Sequence, residues 1–108
     1  MINFKPQKRV SYLPPGEYTA SVSAIQFFEE KGYFALDFQV DDQTTFNSAF
    51  AISNIVFNGF ASGFVDENGF LDETQMLDTF VEFTVKDKKT PDETKSRVIS
   101  LKTVYEEE

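Results

Sequence analysis

The chain has 108 residues, of which 41% are hydrophobic and 26% charged, the balance of one globular domain with one modest core. Eighteen acids against ten bases give a net charge of −8, and cysteine and histidine are both absent. Disulfides, thiol nucleophiles, Cys/His zinc sites and any triad built on an imidazole are excluded, and neither GxGxxG nor GxxxxGK[ST] occurs to cradle a phosphate.

Residues 1–12 carry Lys5, Lys8 and Arg9 around Pro6 and read as a basic arm. No apolar stretch follows to make a secretory signal, and none reaches the roughly 18 residues of a membrane helix, so the expectation is a cytoplasmic protein. Leu13-Pro14-Pro15-Gly16 is a turn or extended lead-in, because proline fixes φ and lacks an amide donor. From Glu17 to Phe28 the pattern alternates, with Tyr18, Ala20, Val22 and Ala24 on one face. Ile25 and Phe27 then shift the apolar set by one position, the mark of a bulged, curved strand. Glu29-Glu30-Lys31-Gly32 is a turn.

Tyr33 to Val40 is the clearest strand: Phe34, Leu36, Phe38 and Val40 face one way, Tyr33, Ala35, Asp37 and Gln39 the other. Thr44 to Ala51 alternates again and makes a hairpin with it. Ser53 can cap a helix over Asn54 to Ser62, where Val56, Phe60 and Phe64 share a face with Phe57 beside them. Gly63 stands where a left-handed C-terminal cap belongs, Asn68-Gly69 signals a turn, and Asp72 with Gln75 can cap a short helical turn through Asp78. Phe80 to Lys86 is a fourth strand, with Val81, Phe83 and Val85 in phase. Asp87 to Ser96 is a polar loop, and Arg97 to Tyr105 a fifth strand, with Ile99 and Leu101 in phase.

Three strands, a helical segment and two strands, the first long and bulged, match an OB-fold: a mainly β, five-stranded small barrel with a helical segment between strands 3 and 4. A β-sandwich or an α+β roll uses the same elements. The division is an arm at 1–12, the barrel at 13–105 and a short acidic tail, Glu106-Glu107-Glu108.

The charges are segregated. Residues 32–85 hold nine acids and no Lys or Arg, whereas Lys86, Lys88, Lys89, Lys95 and Arg97 gather in or beside the loop of the last hairpin. A lysine-rich loop is most simply a solvated hairpin end that discourages aggregation. Its functional reading is phosphate contact, since in an OB-fold the loops after the first and fourth strands flank the binding face, and Lys31 lies in the other of those loops.

Thirteen Phe and four Tyr make 16% of the chain, and the core of a small barrel can use many of them. Phe34, Phe38, Phe46, Phe50, Phe60 and Phe83 fall in the core phases. Tyr33, Phe80 and either Phe27 or Phe28 fall out of phase. They pack under another element or stack bases, at about 1–3 kcal/mol per base. Tyr33 beside Lys31 is the first candidate, with Phe28 and Phe80 behind it.

Leu13-Pro14-Pro15-Gly16-Glu17-Tyr18, the alternating strand and Tyr33-Phe34-Ala35-Leu36-Asp37-Phe38 resemble the opening of small single-stranded DNA-binding proteins encoded in replication modules of bacteriophages of Gram-positive bacteria. Asp78 to Lys86, the basic loop and Arg97-Val98-Ile99-Ser100-Leu101 are similar to the last hairpin of such barrels, so the likeness spans about residues 13–105. It implies a protein that coats single strands without strong sequence preference, uses no cofactor, often forms homo-oligomers, meets replication or recombination proteins and works in the host cytoplasm. The chain departs from the family in having no Trp and a tail of only three acids.

The leading expectation is thus sequence-nonspecific single-stranded DNA binding in phage replication or recombination. Lys31, Lys86, Lys88, Lys89, Lys95 and Arg97 would meet phosphates, and Tyr33, Phe80 and Phe28 would meet bases. The alternative is an acidic protein–protein module, an accessory factor or DNA mimic, that meets a basic partner through Asp66, Glu67, Asp72 and Glu73. An enzyme is not expected: the spacing of those carboxylates does not fit a Ca²⁺ loop, and a polar turn followed by a helix cap accounts for them.

Overall fold

The computed structural model describes residues 8–104; Lys5 and the rest of the arm before Lys8, together with Tyr105 and the Glu106-Glu107-Glu108 tail, lie outside the described residues. The elements are β1 (Lys8–Val10), β2 (Gly16–Phe28), β3 (Tyr33–Gln39), β4 (Thr44–Ala51), α1 (Ile55–Ala61) running into a 3-10 turn (Ser62–Phe64), α2 (Glu73–Met76), β5 (Phe80–Lys89) and β6 (Thr94–Thr103). One curled sheet holds all six strands in the order β1-β4-β3-β2-β5-β6. The expected five strands and the helical segment between the third and fourth of them are present, an OB-like half-barrel. The sixth strand is β1, part of the arm, which pairs parallel with the start of β4.

β2 organises the molecule. Its first half, Gly16–Ser21, pairs with β5, and its second half, Ser21–Phe28, pairs with β3. Between them the register shifts at Ser23, between Val22 and Ala24, so the phase slip read at Ile25 begins two residues earlier. Ala24, expected with the core face, is consequently exposed, while Ile25 turns inward. At the β2–β3 turn the chain doubles back within four residues, which needs a left-handed residue; Gly32 supplies it at φ 70°.

A second bulge corrects the last strand. Thr84 faces Ser100 but Val85 faces Val98, so Ile99 is the extra residue in β6. Val98 therefore joins Leu101 in the core and Ile99 turns out to solvent, the reverse of the phase expected for Ile99. The polar loop expected from Asp87 to Ser96 is also overturned. β5 runs on to Lys89 and β6 begins at Thr94, so only Thr90–Glu93 form the turn. Side chains exposed on both faces of this ribbon leave no hydrophobic period to read.

Asn54, not Ser53, caps α1: its side-chain oxygen accepts from the Phe57 N–H at 2.9 Å. That start turns Phe57 and Phe60 into the core. Gly63 is not a left-handed cap, since the helix tightens into the 3-10 turn there, and α2 stops at Met76 rather than Asp78. The core is aromatic. Phe38 packs edge-on to Phe50 at 6.5 Å and at 5.0 Å from Phe83, which lies at 5.7 Å from Phe46. Phe60 is buried as expected; Phe34 is only half-buried, stacked between Phe27 and Phe57. No helix among the described residues is long and apolar enough to cross a membrane.

Candidate functional site

The β5–β6 hairpin carries the cations. Its turn is tied by Thr90, whose N–H donates to the Glu93 carbonyl and whose hydroxyl accepts from the Glu93 N–H. Val85 and Val98 face the core, so by strand alternation the next pair, Lys86 opposite Arg97, faces out. Two residues on, Lys88 stands opposite Lys95 on the same face. Four cations thus occupy two directly opposed cross-strand pairs, where like charges destabilise a sheet. Among the described residues this face has one ion pair, Lys95 with Glu93 at 3.4 Å, and both groups are well exposed, so it contributes little. Lys89, opposite Thr94, points to the other side.

The sheet does not close through backbone pairing of β4 with β6. A seam remains, and the arm crosses it. β1 pairs with the start of β4, and Arg9 reaches Asp37 on β3 at 3.1 Å. Leu13 then meets β6: its N–H donates to Ser96 Oγ at 2.7 Å, and that hydroxyl donates back to the Leu13 carbonyl at 2.9 Å. The Tyr12 hydroxyl donates to Asp87 at 2.8 Å, and this bond to a carboxylate raises its pKa. Beyond the arm the seam opens into a cleft of about 390 Å3 lined by Lys88, Lys95, Arg97 and the Ser96 between them on one side and by Ala49, Phe50 and Asn54 on the other.

Ala49 leads from the cleft onto the outer face of the sheet. Its neighbour across β3 is Ala35; two residues along β4, Ala51 faces Tyr33, which faces Phe28 on β2. The Phe28 and Tyr33 rings stack at 4.8 Å. With about 7 Å between alternate residues and about 5 Å between strands, the pair lies roughly 10 Å across a floor of alanines from Ala49. Lys31 is exposed in the adjoining turn, but Glu29 and Glu30 outnumber it there. This end therefore offers ring surface, and the seam offers charge. Phe27, the other candidate for the outward position, lies on the core side against Phe34 at 4.5 Å.

Phe80 is not brought to this surface. It is 54% exposed at the far end of β5, opposite Ser21, with Glu82 and Thr84 between it and Lys86. A larger hollow of about 650 Å3 lies where the α1 segment faces β6, walled by Phe60, Phe64 and Leu101 with Lys102 as its one base. It gathers none of the bases or rings expected to meet nucleic acid. The acidic middle is built as turns and caps. Asp66 accepts from the N–H groups of Asn68 and Phe70, and Asp72 caps α2 through Thr74.

Sequence reasoning missed Tyr12, Ser96, Asn54 and the alanines. The alanines did carry a signal, since Ala35, Ala49 and Ala51 occupy the polar phase of their strands without being polar. Nothing local marked Ser96, whose partner is 83 positions away. Compared with models of known protein families, with curated proteins and with solved structures, the chain shows no match.

Proposed function

We propose that the protein binds single-stranded DNA without sequence preference across the surface that runs from the cationic seam to the Phe28–Tyr33 pair. The observation that carries this reading is the seam cleft, which sets Lys88, Lys95 and Arg97 against Ala49, one alanine row from two stacked rings. Phosphates would relieve the opposed cations, and bases would stack on the rings, a sequence-tolerant mode of binding. Lys86 extends the charge along the hairpin. Lys31 adds one base beside the rings, Lys89 adds to the field from the hairpin's other face, and Phe80 plays no part. A duplex cannot offer its bases to the rings. The resemblance to phage single-stranded DNA-binding proteins agrees with this and points to replication or recombination in a host cell.

The test is anisotropy of a labelled oligo-dT strand titrated with protein at low and at physiological salt, with duplex DNA as control. Salt-sensitive binding that prefers the single strand is the expected result. No binding at low salt would reject the proposal.

One observation favours a second reading. Phe70 is 72% exposed on a small hairpin closed by Val65 and Leu71, flanked by Asp66, Glu67, Asp72 and Glu73, in a stretch with no base. Such an acidic, aromatic knob suits a protein partner with a basic rim. Charge reversal separates the two: changes at 86–97 affect DNA binding, and changes at 66–73 affect a protein partner.

A further inference from the structure

We infer that the arm is a working part of the binding surface, with Ser96 and Tyr12 as positioning residues for the cations of the seam; this rests on the nucleic-acid reading above. A six-residue strap from Lys8 to Leu13 joins the two open edges of the sheet. On the β4 side it is held by the parallel pairing of β1, by the Lys8 N–H on the Gln43 carbonyl at 2.6 Å, and by Arg9 on Asp37. On the β6 side it is held by both backbone groups of Leu13 on one hydroxyl, Ser96, and by Tyr12 on Asp87. Leu13 itself is buried in the core, so the strap cannot slide without exposing it.

The place of these bonds gives them their consequence. Ser96 lies between Lys95 and Arg97 in β6, and Asp87 lies between Lys86 and Lys88 in β5. By strand alternation the strap grips the face of the ribbon opposite to the one that carries the four cations. A two-stranded ribbon that projects beyond its sheet, with like charges opposed, is free to twist and splay. Tethered at Ser96 and Asp87, Lys88, Lys95 and Arg97 stay against Ala49 and Asn54 across the seam, where one strand of phosphates can meet them together. Without the tether the same charges remain on the molecule but no longer line one cleft.

The experiment compares wild type, Ser96→Ala and Ser96→Thr by the slope of log affinity for labelled oligo-dT against log salt concentration. Each phosphate neutralised on a single strand contributes about 0.7 to that slope. Ser96→Ala leaves every cation in the sequence, yet is expected to lose about 1.4 from the slope, two contacts, and about tenfold in affinity at physiological salt. Ser96→Thr keeps the hydroxyl and is expected to restore both. A merely structural role would lower the folded fraction and the apparent affinity without moving the slope. Wild-type slope in folded Ser96→Ala, with fast hydrogen exchange at the Leu13 amide, would overturn the inference. Should Ser96→Ala not fold, Tyr12→Phe loosens the same strap at Asp87 alone; an unchanged slope there overturns it equally. If wild type itself does not bind oligo-dT, the nucleic-acid reading falls and takes this one with it, whereas an unaltered slope in the variants of a binding protein removes the strap's role and leaves that reading intact.

Discussion

The two hairpins that lie at opposite ends of β2 differ in kind. The β2–β3 end has two stacked rings and a turn in which acids outnumber the single base; the β5–β6 end has four outward cations, and its neighbouring ring, Tyr12, is tied to Asp87 on the opposite face. Along β2 they are separated by the whole strand, a contour of about 40 Å. Around the curl the distance is shorter, because Ala49 of β4 lines the same cleft as Lys88, Lys95 and Arg97. Stacking and charge are thus supplied by different hairpins and joined only by closure of the sheet, so each can be removed without the other.

The largest expected effect is on the charged end. Lys88→Glu with Lys95→Glu should weaken oligo-dT binding by about 100-fold or more at low salt and flatten its salt dependence, read by anisotropy. Next comes the ring end. Tyr33→Ala should lose about 1–3 kcal/mol of binding, with the salt slope unchanged. A ring variant that flattens the slope, or a charge variant that does not, would collapse the distinction between the ends. A smaller effect runs the other way. Lys88→Glu alone sets an acid opposite Lys95 and should raise stability without DNA by about 0.2–1 kcal/mol, measured by urea unfolding. The cation pair would then be a feature kept at some cost to the fold.

The smallest effect lies outside both ends. The Asp41 carboxyl is held below its ordinary value chiefly by the Gln43 backbone N–H, and that of Asp72 chiefly by the Thr74 hydroxyl. A carboxyl whose folded pKa is lowered stabilises the fold above its unfolded value, here 3.8, and loses that contribution as pH falls through the folded one. The thermal midpoint should therefore drop below that pH, and drop less in Asp41→Asn with Asp72→Asn. Binding at neutral pH should be unaffected by the pair.

How much could be read from the chain alone follows from what each feature depends on. Where one face is buried and the other wet, as in Tyr33–Gln39, alternation marked the strand and its core face. The β5–β6 ribbon beyond Val85 is wet on both faces, so its charges read as a loop although they are paired strand. The bulge at Ile99 inverted a correct period by one residue, and no local residue type announces such an insertion. Lys88, Lys95 and Tyr33 were singled out by charge and phase. Their shared face followed only from the barrel expected of the chain; the strap across the seam was not legible, because partners such as Leu13 and Ser96 are separated by most of the sequence.

The split pairing of β2 also orders the way the chain assembles. β2, β3 and β4 are joined by turns of a few residues, so their meander closes small loops and can form early. The first half of β2 must wait for β5, about sixty to seventy positions downstream, before it has a partner on that side. Docking of the β5–β6 ribbon is then expected to come late. Substitutions on β6 such as Val98→Ala should chiefly speed unfolding, while those at Leu36 or Phe38 should also slow folding.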